Sequence, residues 1–443
     1  MTQVTRTSSF TSEAPMRTIR IGLVGLGTVG SGVVEIINRH AADFLRRANV
    51  SLELARCADR DRARAESLGI APERFSDDWH DVVNDPDVDV VVELIGGTGV
   101  AREVVLAALQ AGKSVVTANK ALMASHGHEA MDAAERHGVD LLFEAAVGGG
   151  IPIIGPLKHS LVSNEVNAVY GIVNGTTNYM LTRMAEDGLD YDTALAEAQS
   201  RGFAEADPTA DVDGLDAAAK IAILASIAFN SRVELKDVPV EGIRSITPQD
   251  IAYAAEMGYT IKLMALARRQ NGGIDVRVHP TMIRADHPLA KVNGVYNAIY
   301  VVGDSVGETM FFGEGAGSLP AASAVMGDVI EVARHIGSGC LNLVGCTCTD
   351  DLALRDIGEL MTEYYVRLHV ADQPGVLAAV AGVFGEHGVS LASVIQKRTV
   401  EEGAEIVYVT HRASERSVRA ALGVIAALDV VDVVGTVIRV ENL

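Results

Sequence analysis

The stretch TIRIGLVGLGTVGSGVVEII, Thr18 to Ile37, passes from a short apolar run to a glycine turn and then to helix-forming sequence. Ile21 to Val24 is brief and unbroken, as suits a strand buried on both faces of a parallel sheet. Gly25, Gly27 and Gly30 then make a G-x-G-x-x-G pattern. The first glycine permits a tight turn, the second lets the backbone approach a pyrophosphate, and the third lets the helix pack close to the strand. The helix amides that follow face the phosphates. Alone the pattern is weak, because glycine turns occur in many βα units. Its position directly between strand and helix makes it a dinucleotide fingerprint. Gly25, Leu26, Gly27, Thr28, Val29 and Gly30 are therefore the expected cofactor contacts of this turn.

The next apolar alternation, VSLELARCADRD, ends at Asp59 and Arg60. An acid at this strand end binds the ribose hydroxyls of NAD, whereas a nearby arginine accommodates the extra phosphate of NADP. Having both leaves the choice between NAD and NADP open. Asp59 lies 29 residues after Gly30, later than the usual spacing of about 20, and a long first helix absorbs the difference. Further strands are expected in DVDVVVELIGG, before TANKALMA, and in HGVDLLFEAAVGGGIPII. Strands alternating with helices over residues 18–150 describe a doubly wound, Rossmann-type parallel sheet. Such sheets bind ligands beyond the carboxyl ends of their strands, where Thr98, Lys120 and Glu144 fall.

The chain has 443 residues, too many for one ordinary core, with 48% apolar and 5% aromatic residues. Its formal net charge of −21 argues against nucleic acid or an anionic membrane as partner, but not against a small anion in a locally positive site. No run reaches the roughly 20 uncharged apolar residues of a spanning helix. Residues 1–17 lack an apolar signal core and are expected to be a disordered leader. Of the four cysteines, Cys57, Cys340, Cys346 and Cys348, only the last two are close, and a lone Cys-Thr-Cys is half a metal site at best. Reduced thiols in a cytoplasm are the expectation. His159, His279 and His287 show no metal spacing and read as structural.

Beyond residue 150 the texture changes. Residues 151–319 are expected to form a mixed α+β substrate and dimerisation domain, and a helix near 320–337 to return to the first domain. Within it, RGFAEADPTADVDGLDAAAK (Arg201 to Lys220) carries Glu205, Asp207, Asp211, Asp213 and Asp216. Asp216 and Lys220 stand four apart on one helix face; on spacing alone they read as an exposed pair worth about 0.2–0.5 kcal/mol. Asp213 reads as the helix N-cap, Asp207 as a turn former before Pro208, and Asp211 as a brace for the loop. Residues 338–362 read as a linker. The segment 363–443 follows a βαββαβ order, that of a ferredoxin-like module.

At this point the chain resembles homoserine dehydrogenase. GLGTVG, TANKALMA, FEAAVGGGIPII, GIVNGTTNYML, GFAEADPTADVDGLDAAAK and GEGAGSLPAASAV carry the likeness in order from Ile19 to about Gly337. DQPGVL and GVSLASV make the tail similar to an ACT module, and with no kinase segment ahead the chain looks like the monofunctional form. The resemblance implies reversible interconversion of L-homoserine and L-aspartate 4-semialdehyde with NAD or NADP, in the biosynthesis of threonine, methionine and isoleucine. It implies Lys220 as the acid/base, Lys120 as a second catalytic or cofactor-contacting lysine, and Glu205 and Asp216 as ligands of the substrate ammonium. On this reading two of the five acids serve substrate and three serve architecture. Gly202 and Gly317 match positions whose backbone approaches the cofactor. Glu144, Val147, Gly149 and Ile151 match a monovalent-cation site, usually sodium. The ACT tail implies an amino-acid effector such as threonine, and a homodimer or homotetramer is expected. A different aldehyde dehydrogenase that forms a covalent intermediate would need a well-placed cysteine after a strand, which Cys57 is not. The remaining alternative is a non-catalytic sensor binding NAD(P) and an amino acid; its mark would be loss of Lys220, Lys120 or Asp216, and all three are present.

Overall fold

A computed structural model describes residues 17–343, 345–398 and 403–443. The leader expected over 1–17 lies, apart from Arg17, outside the described residues. The chain divides into two compact units.

The first unit is built on a six-stranded parallel sheet in the order β3-β2-β1-β4-β5-β6. Its strands are β1 (Thr18–Val24), β2 (Ser51–Ala58), β3 (Phe75–Ser76), β4 (Val90–Glu93), β5 (Ser114–Thr117) and β6 (Leu141–Leu142). Between them run α1 (Thr28–Ala48), α2 (Arg62–Ser67), α3 (His80–Val83), α4 (Val100–Gln110) and α5 (Lys120–His137). Ile21, Leu23, Val90, Val92 and Val116 are fully buried, as residues covered on both sheet faces must be. The strand order reverses at β1, so the turn after β1 opens at the topological switch point, where this architecture binds ligands.

The second unit has helices α6 (Gly175–Asp187), α7 (Tyr191–Ser200), α8 (Thr209–Val212), α9 (Leu215–Ala228) and α10 (Pro248–Glu256). They accompany strands β7 (Val166–Ile172), β8 (Tyr259–Gln270), β9 (Gly273–Arg284), β10 (Tyr296–Gly303) and β11 (Gly307–Glu314). Helix α11 (Ser318–Ser338) follows; its Ala322, Val325, Met326, Val329, Val332 and Ala333 belong to the core of the first unit. The chain then continues through β12 (Ala353–Leu354), β13 (Met361–Val370), α12 (Val376–Glu386), β14 (Leu391–Arg398), β15 (Ala404–Thr410), β16 (Ala413–Ser414), α13 (Glu415–Ile425) and β17 (Val431–Glu441).

The tail has the βαββαβ order and the strand arrangement β17-β13-β15-β14 of a ferredoxin-like module. It does not stand apart. β17 pairs parallel with β9 through Arg439↔Thr281, Val440↔Met282 and Glu441↔Ile283, and one sheet of eleven strands runs through both parts. Charged side chains cross this seam inside the protein. On β9, Arg277, fully buried, pairs with Asp275 and with Glu441 of β17. On β13, Arg367 donates to Asp250 of α10 at 2.7 Å and to Glu405 at 2.9 Å. Tyr365 (3.0 Å) and Thr436 (2.8 Å) also donate to the Asp250 carboxylate, and Tyr253 donates to Glu405 at 2.6 Å. Arg439 holds Glu241 and Glu415.

Asp250 has no exposed surface, so removing its cation strands a buried charge. Arg367→Leu is expected to destabilise the fold by about 3–5 kcal/mol in urea unfolding, with part of the loss recovered by also changing Asp250→Leu. A loss below about 1 kcal/mol would mean the pair is not what joins the two parts.

Candidate active site

In the first unit, the turn after β1 has the geometry a dinucleotide needs. Gly25 is left-handed at φ 101°, and a Cβ there would stand 2.7 Å from the Leu94 carbonyl oxygen. A Cβ on Gly30 would stand 2.1 Å from the Gly25 oxygen. A Cβ on Gly27 would meet no protein atom within 4 Å, so the space beside it is open to a ligand. No side chain caps the N-terminus of α1. Leu26 is buried, Val29 half-buried and Thr28 exposed. The Asp59 carboxylate reaches this turn: it accepts from the Leu26 amide and, at 2.9 Å, from the Asp61 amide. Arg60 is exposed beside it. These residues fit a nicotinamide dinucleotide, with phosphates at the uncapped helix end and a ribose at Asp59.

The loops beyond β4 and β5 are tied by a residue the sequence reading passed over. Glu93, buried without exposure, accepts from the amides of Ile95 (2.7 Å) and Gly96 (3.1 Å) and from the Thr117 hydroxyl (2.7 Å). Thr117 in turn accepts from the Asn119 amide at 3.0 Å, and the Asn119 side chain donates to the Gly97 carbonyl at 2.7 Å. This network shapes the loop bearing Thr98, which is exposed, and the start of α5 at Lys120, which is half-buried. Asn119 caps α5 by accepting from the Leu122 amide. Glu144 opens a short 3-10 turn, its amide donating to Asp328 at 2.8 Å.

In the second unit the decisive cluster lies where β7 meets α6 and α9. Helix α9 is almost entirely apolar and buried, and Asp216 and Lys220 are buried with it, 7% and 8% exposed. An exposed helix pair is therefore the wrong description of them. The Lys220 ammonium donates to Asp216 Oδ2 at 2.7 Å and to the Val173 carbonyl at 2.6 Å. Asn174, the N-cap of α6, donates through one side-chain nitrogen to Asp216 (2.9 Å) and to Asp211 (2.7 Å), while its oxygen accepts from the Thr177 amide. Asn174 is the second residue of this geometry without a pattern in the sequence; its only signal is its place directly after a strand and before a helix.

The other acids of the Arg201–Lys220 stretch separate. Asp207 accepts from the Thr209 amide at 3.1 Å, forming a turn. Asp211 braces Asn174. Asp213 is not the N-cap of α9. Its own backbone closes α8, and the left-handed Gly214 (φ 84°) begins α9, so the Asp213 side chain turns to Arg244 instead. Glu205 is exposed and makes no hydrogen bond to the Asn174–Asp216 group among the described residues. Gly202 and Gly317 occupy exposed, left-handed turns. Val147 and Ile151 are buried beside the left-handed Gly148 and Gly149, in a turn closed by the Ile151 amide on the Gly148 carbonyl at 2.8 Å. Among the described residues no three metal-ligating side chains gather, and no helix is long and apolar enough to cross a membrane. His279 is fully buried and held neutral by its burial and by the arginines around it, in keeping with a structural role.

Beneath the cluster, α6 is fastened by a buried cation. Lys262 donates to Asn178 (3.0 Å), to the Val292 carbonyl (2.6 Å) and to Asn293 (3.0 Å). Asn178 reaches on to the carbonyls of Gly294 and Tyr296. Burial lowers the Lys262 pKa from 10.5 to about 8. Its charged form is thus disfavoured by folding: the cost is full below pH about 8 and vanishes above the unfolded value. The stability of the native chain relative to Lys262→Met is expected to be flat with pH below about 8 and to rise between about 8 and 10.5, as read by melting temperature. A flat difference across that window would show that the lysine titrates normally.

Residues 152–330 match the family described as homoserine dehydrogenase, residues 25–144 its NAD-binding domain, and residues 364–430 the ACT domain. The chain is 48% identical over 434 residues to a homoserine dehydrogenase of Synechocystis, covering 96% of this chain and 99% of that one. It is 45% identical over the full length of both chains to that of Corynebacterium glutamicum. Among solved structures, a homoserine dehydrogenase from Thiobacillus denitrificans superposes with a TM-score of 0.91 at 42% identity, covering 96% of this chain and 99% of that chain. A hyperthermophilic archaeal homoserine dehydrogenase in complex with NADPH gives 0.61 at 28% identity, covering 72% and 98%.

Proposed function

The chain belongs to the homoserine dehydrogenase family of NAD(P)-dependent oxidoreductases, and we propose how its own residues carry the interconversion of L-homoserine and L-aspartate 4-semialdehyde. The observation that carries the reading is the buried Asn174–Asp216–Lys220 cluster. Bound nicotinamide supplies or accepts the hydride at the substrate carbon. Lys220 donates the proton to the developing alkoxide and takes it back in the reverse direction. The Val173 carbonyl and the Asp216 carboxylate fix the ammonium of Lys220 in one place, so the proton stands ready at Nζ. Asp216 and Glu205 receive the substrate ammonium; Asn174, by holding Asp216 and Asp211 together, keeps the carboxylate aimed. Lys120, at the start of α5 in the first unit, is a second catalytic or cofactor-contacting lysine. The Gly25–Gly30 turn and Thr98 hold the dinucleotide in the first unit, and Asp59 with Arg60 hold the adenosine ribose, whether NAD or NADP is used. The non-catalytic sensor reading has no observation in its favour.

The same reading extends to the cation. Glu144 offers a carboxylate and Val147, Gly149 and Ile151 offer carbonyls, hard oxygen donors that suit sodium. The left-handed Gly148 and Gly149 turn successive carbonyls in different directions. The ACT tail binds an amino-acid effector such as threonine. The enzyme works in the cytoplasm as a homodimer or homotetramer; Met310 and Phe312 on the edge strand β11 are exposed, and such an edge needs cover.

Lys220→Ala is expected to lower kcat by about 10²–10⁴ in both directions while cofactor affinity, measured by fluorescence titration, stays unchanged. Running NAD and NADP in parallel gives the preference. Turnover within tenfold of the parent would remove Lys220 from the proton transfer. Replacing sodium by tetramethylammonium is expected to lower both activity and melting temperature, and Glu144→Gln to abolish that sensitivity. Equal behaviour in the two salts would sink the cation site.

A further inference from the structure

The segment after Gly345 crosses the far end of α9, the helix that carries Lys220. It is pinned there by backbone: the Asp350 amide donates to the Asn230 carbonyl at 2.7 Å, and the Leu352 amide to the Ser231 hydroxyl at 3.1 Å. Within this pinned stretch stand Cys346 and Cys348, both half-buried and both reduced. Their side chains lie within reach of one another. Cys348 Sγ also lies 3.8 Å from the carbonyl oxygen of Ser226 on α9. Lys158, on the π-helical turn Pro156–Ser160, and Arg232 lie close enough to act on Cys348 electrostatically. The two thiols thus lie within reach of one another, sit at a partly open surface, and have cations at hand.

We propose that Cys346 and Cys348 form a redox-responsive dithiol site that closes to an intramolecular disulfide by exchange with a low-molecular-weight disulfide. Cys346, as thiolate, attacks one sulfur of the reagent and expels one thiol; Cys348 then gives up its proton and displaces the second. The sum is two protein thiols plus one disulfide yielding one protein disulfide plus two small thiols, so two electrons and two protons pass to the reagent. The environment sets this order. The hydrogen bond that Cys348 donates to Cys346 is the largest cause of the raised pKa of Cys348, followed by burial, whereas Lys158 and Arg232 oppose them. Capture of Cys346 removes that largest cause, so the Cys348 proton is held less tightly and Cys348 can make the second displacement. Of the other cysteines, Cys57 is buried with its pKa pushed up to about 11, and Cys340 is exposed and stands alone in the sequence.

The test uses the full-length, fully reduced protein and oxidised glutathione as the probe, read by intact mass, peptide mapping and thiol titration, with circular dichroism to confirm the fold. The expected result is loss of two titratable thiols, a mass lower by two hydrogens, and a disulfide mapped to the peptide holding Cys346 and Cys348. Dithiothreitol reverses it and Cys340→Ser leaves it intact. Cys346→Ser is expected to show no fast reaction, and Cys348→Ser to stop at a glutathione adduct on Cys346. A stable glutathione adduct on the native protein, a disulfide that includes Cys340, or reaction only after denaturation would each overturn the proposal.

Discussion

An ammonium group inside an apolar helix is the constraint from which the second unit is built. Helix α9 is a run of alanines and isoleucines with two charges, Asp216 and Lys220, and both are buried. Water cannot solvate them there, so the protein must. It does so from one junction: the Val173 carbonyl and the side chain of Asn174, the cap of α6, both point at the pair. The Lys220 ammonium is held by few, short, directional contacts, and each donor that stabilises Asp216 as an anion also fixes where Lys220 can be. Stability and proton placement come from the same atoms.

The first unit meets a related demand with less charge. Its open space is made by backbone: a left-handed turn at Gly25, a close helix at Gly30, and vacancy beside Gly27. The one acid drawn in, Asp59, is spent on amides of the same turn, which orders the loop as well as presenting a carboxylate. Glu93 does likewise for the next two loops. Buried carboxylates here organise amides, and the ligand-facing surfaces follow from where those amides are pulled.

What could be read from the sequence was what is local. The G-x-G-x-x-G turn, Asp59 at its strand end, and the four-residue spacing of Asp216 and Lys220 each lie within one βα unit or one helix. The misses lie at long range. Asn174 meets Asp216 across 42 positions and Glu93 meets Thr117 across 24; neither partner shows a pattern before the strands are laid side by side. The burial of the Asp216–Lys220 pair was hidden for the same reason, since i, i+4 spacing is identical on an exposed and an inward face. Asp213 misled because an acid before a glycine and a helix looks like an N-cap, and only the backbone of α8 shows that its side chain faces away. The parallel joining of β17 to β9 had no local signature either. The arginine that helps hold it, Arg277, finds Glu441 across 164 positions.

That joining changes what the tail is. A module tethered by a flexible linker can bind a ligand without the catalytic part responding. Here the tail shares a sheet with β9, and its Arg367 is buried against Asp250 of α10. Helix α10 packs on α6, and α6 is capped by Asn174, which holds Asp216. A displacement of β13 is therefore passed to packed helices that end at Asp216 and Lys220, because close-packed interiors transmit strain. Contiguity of this kind is a requirement for control by the tail and not its measure, which is the free energy by which occupancy of one site alters affinity at the other. The buried charges of the seam make that requirement stringent: Arg367 has no second anion to turn to outside Asp250 and Glu405 among the described residues, so the tail cannot slip along the sheet without leaving Asp250 uncompensated.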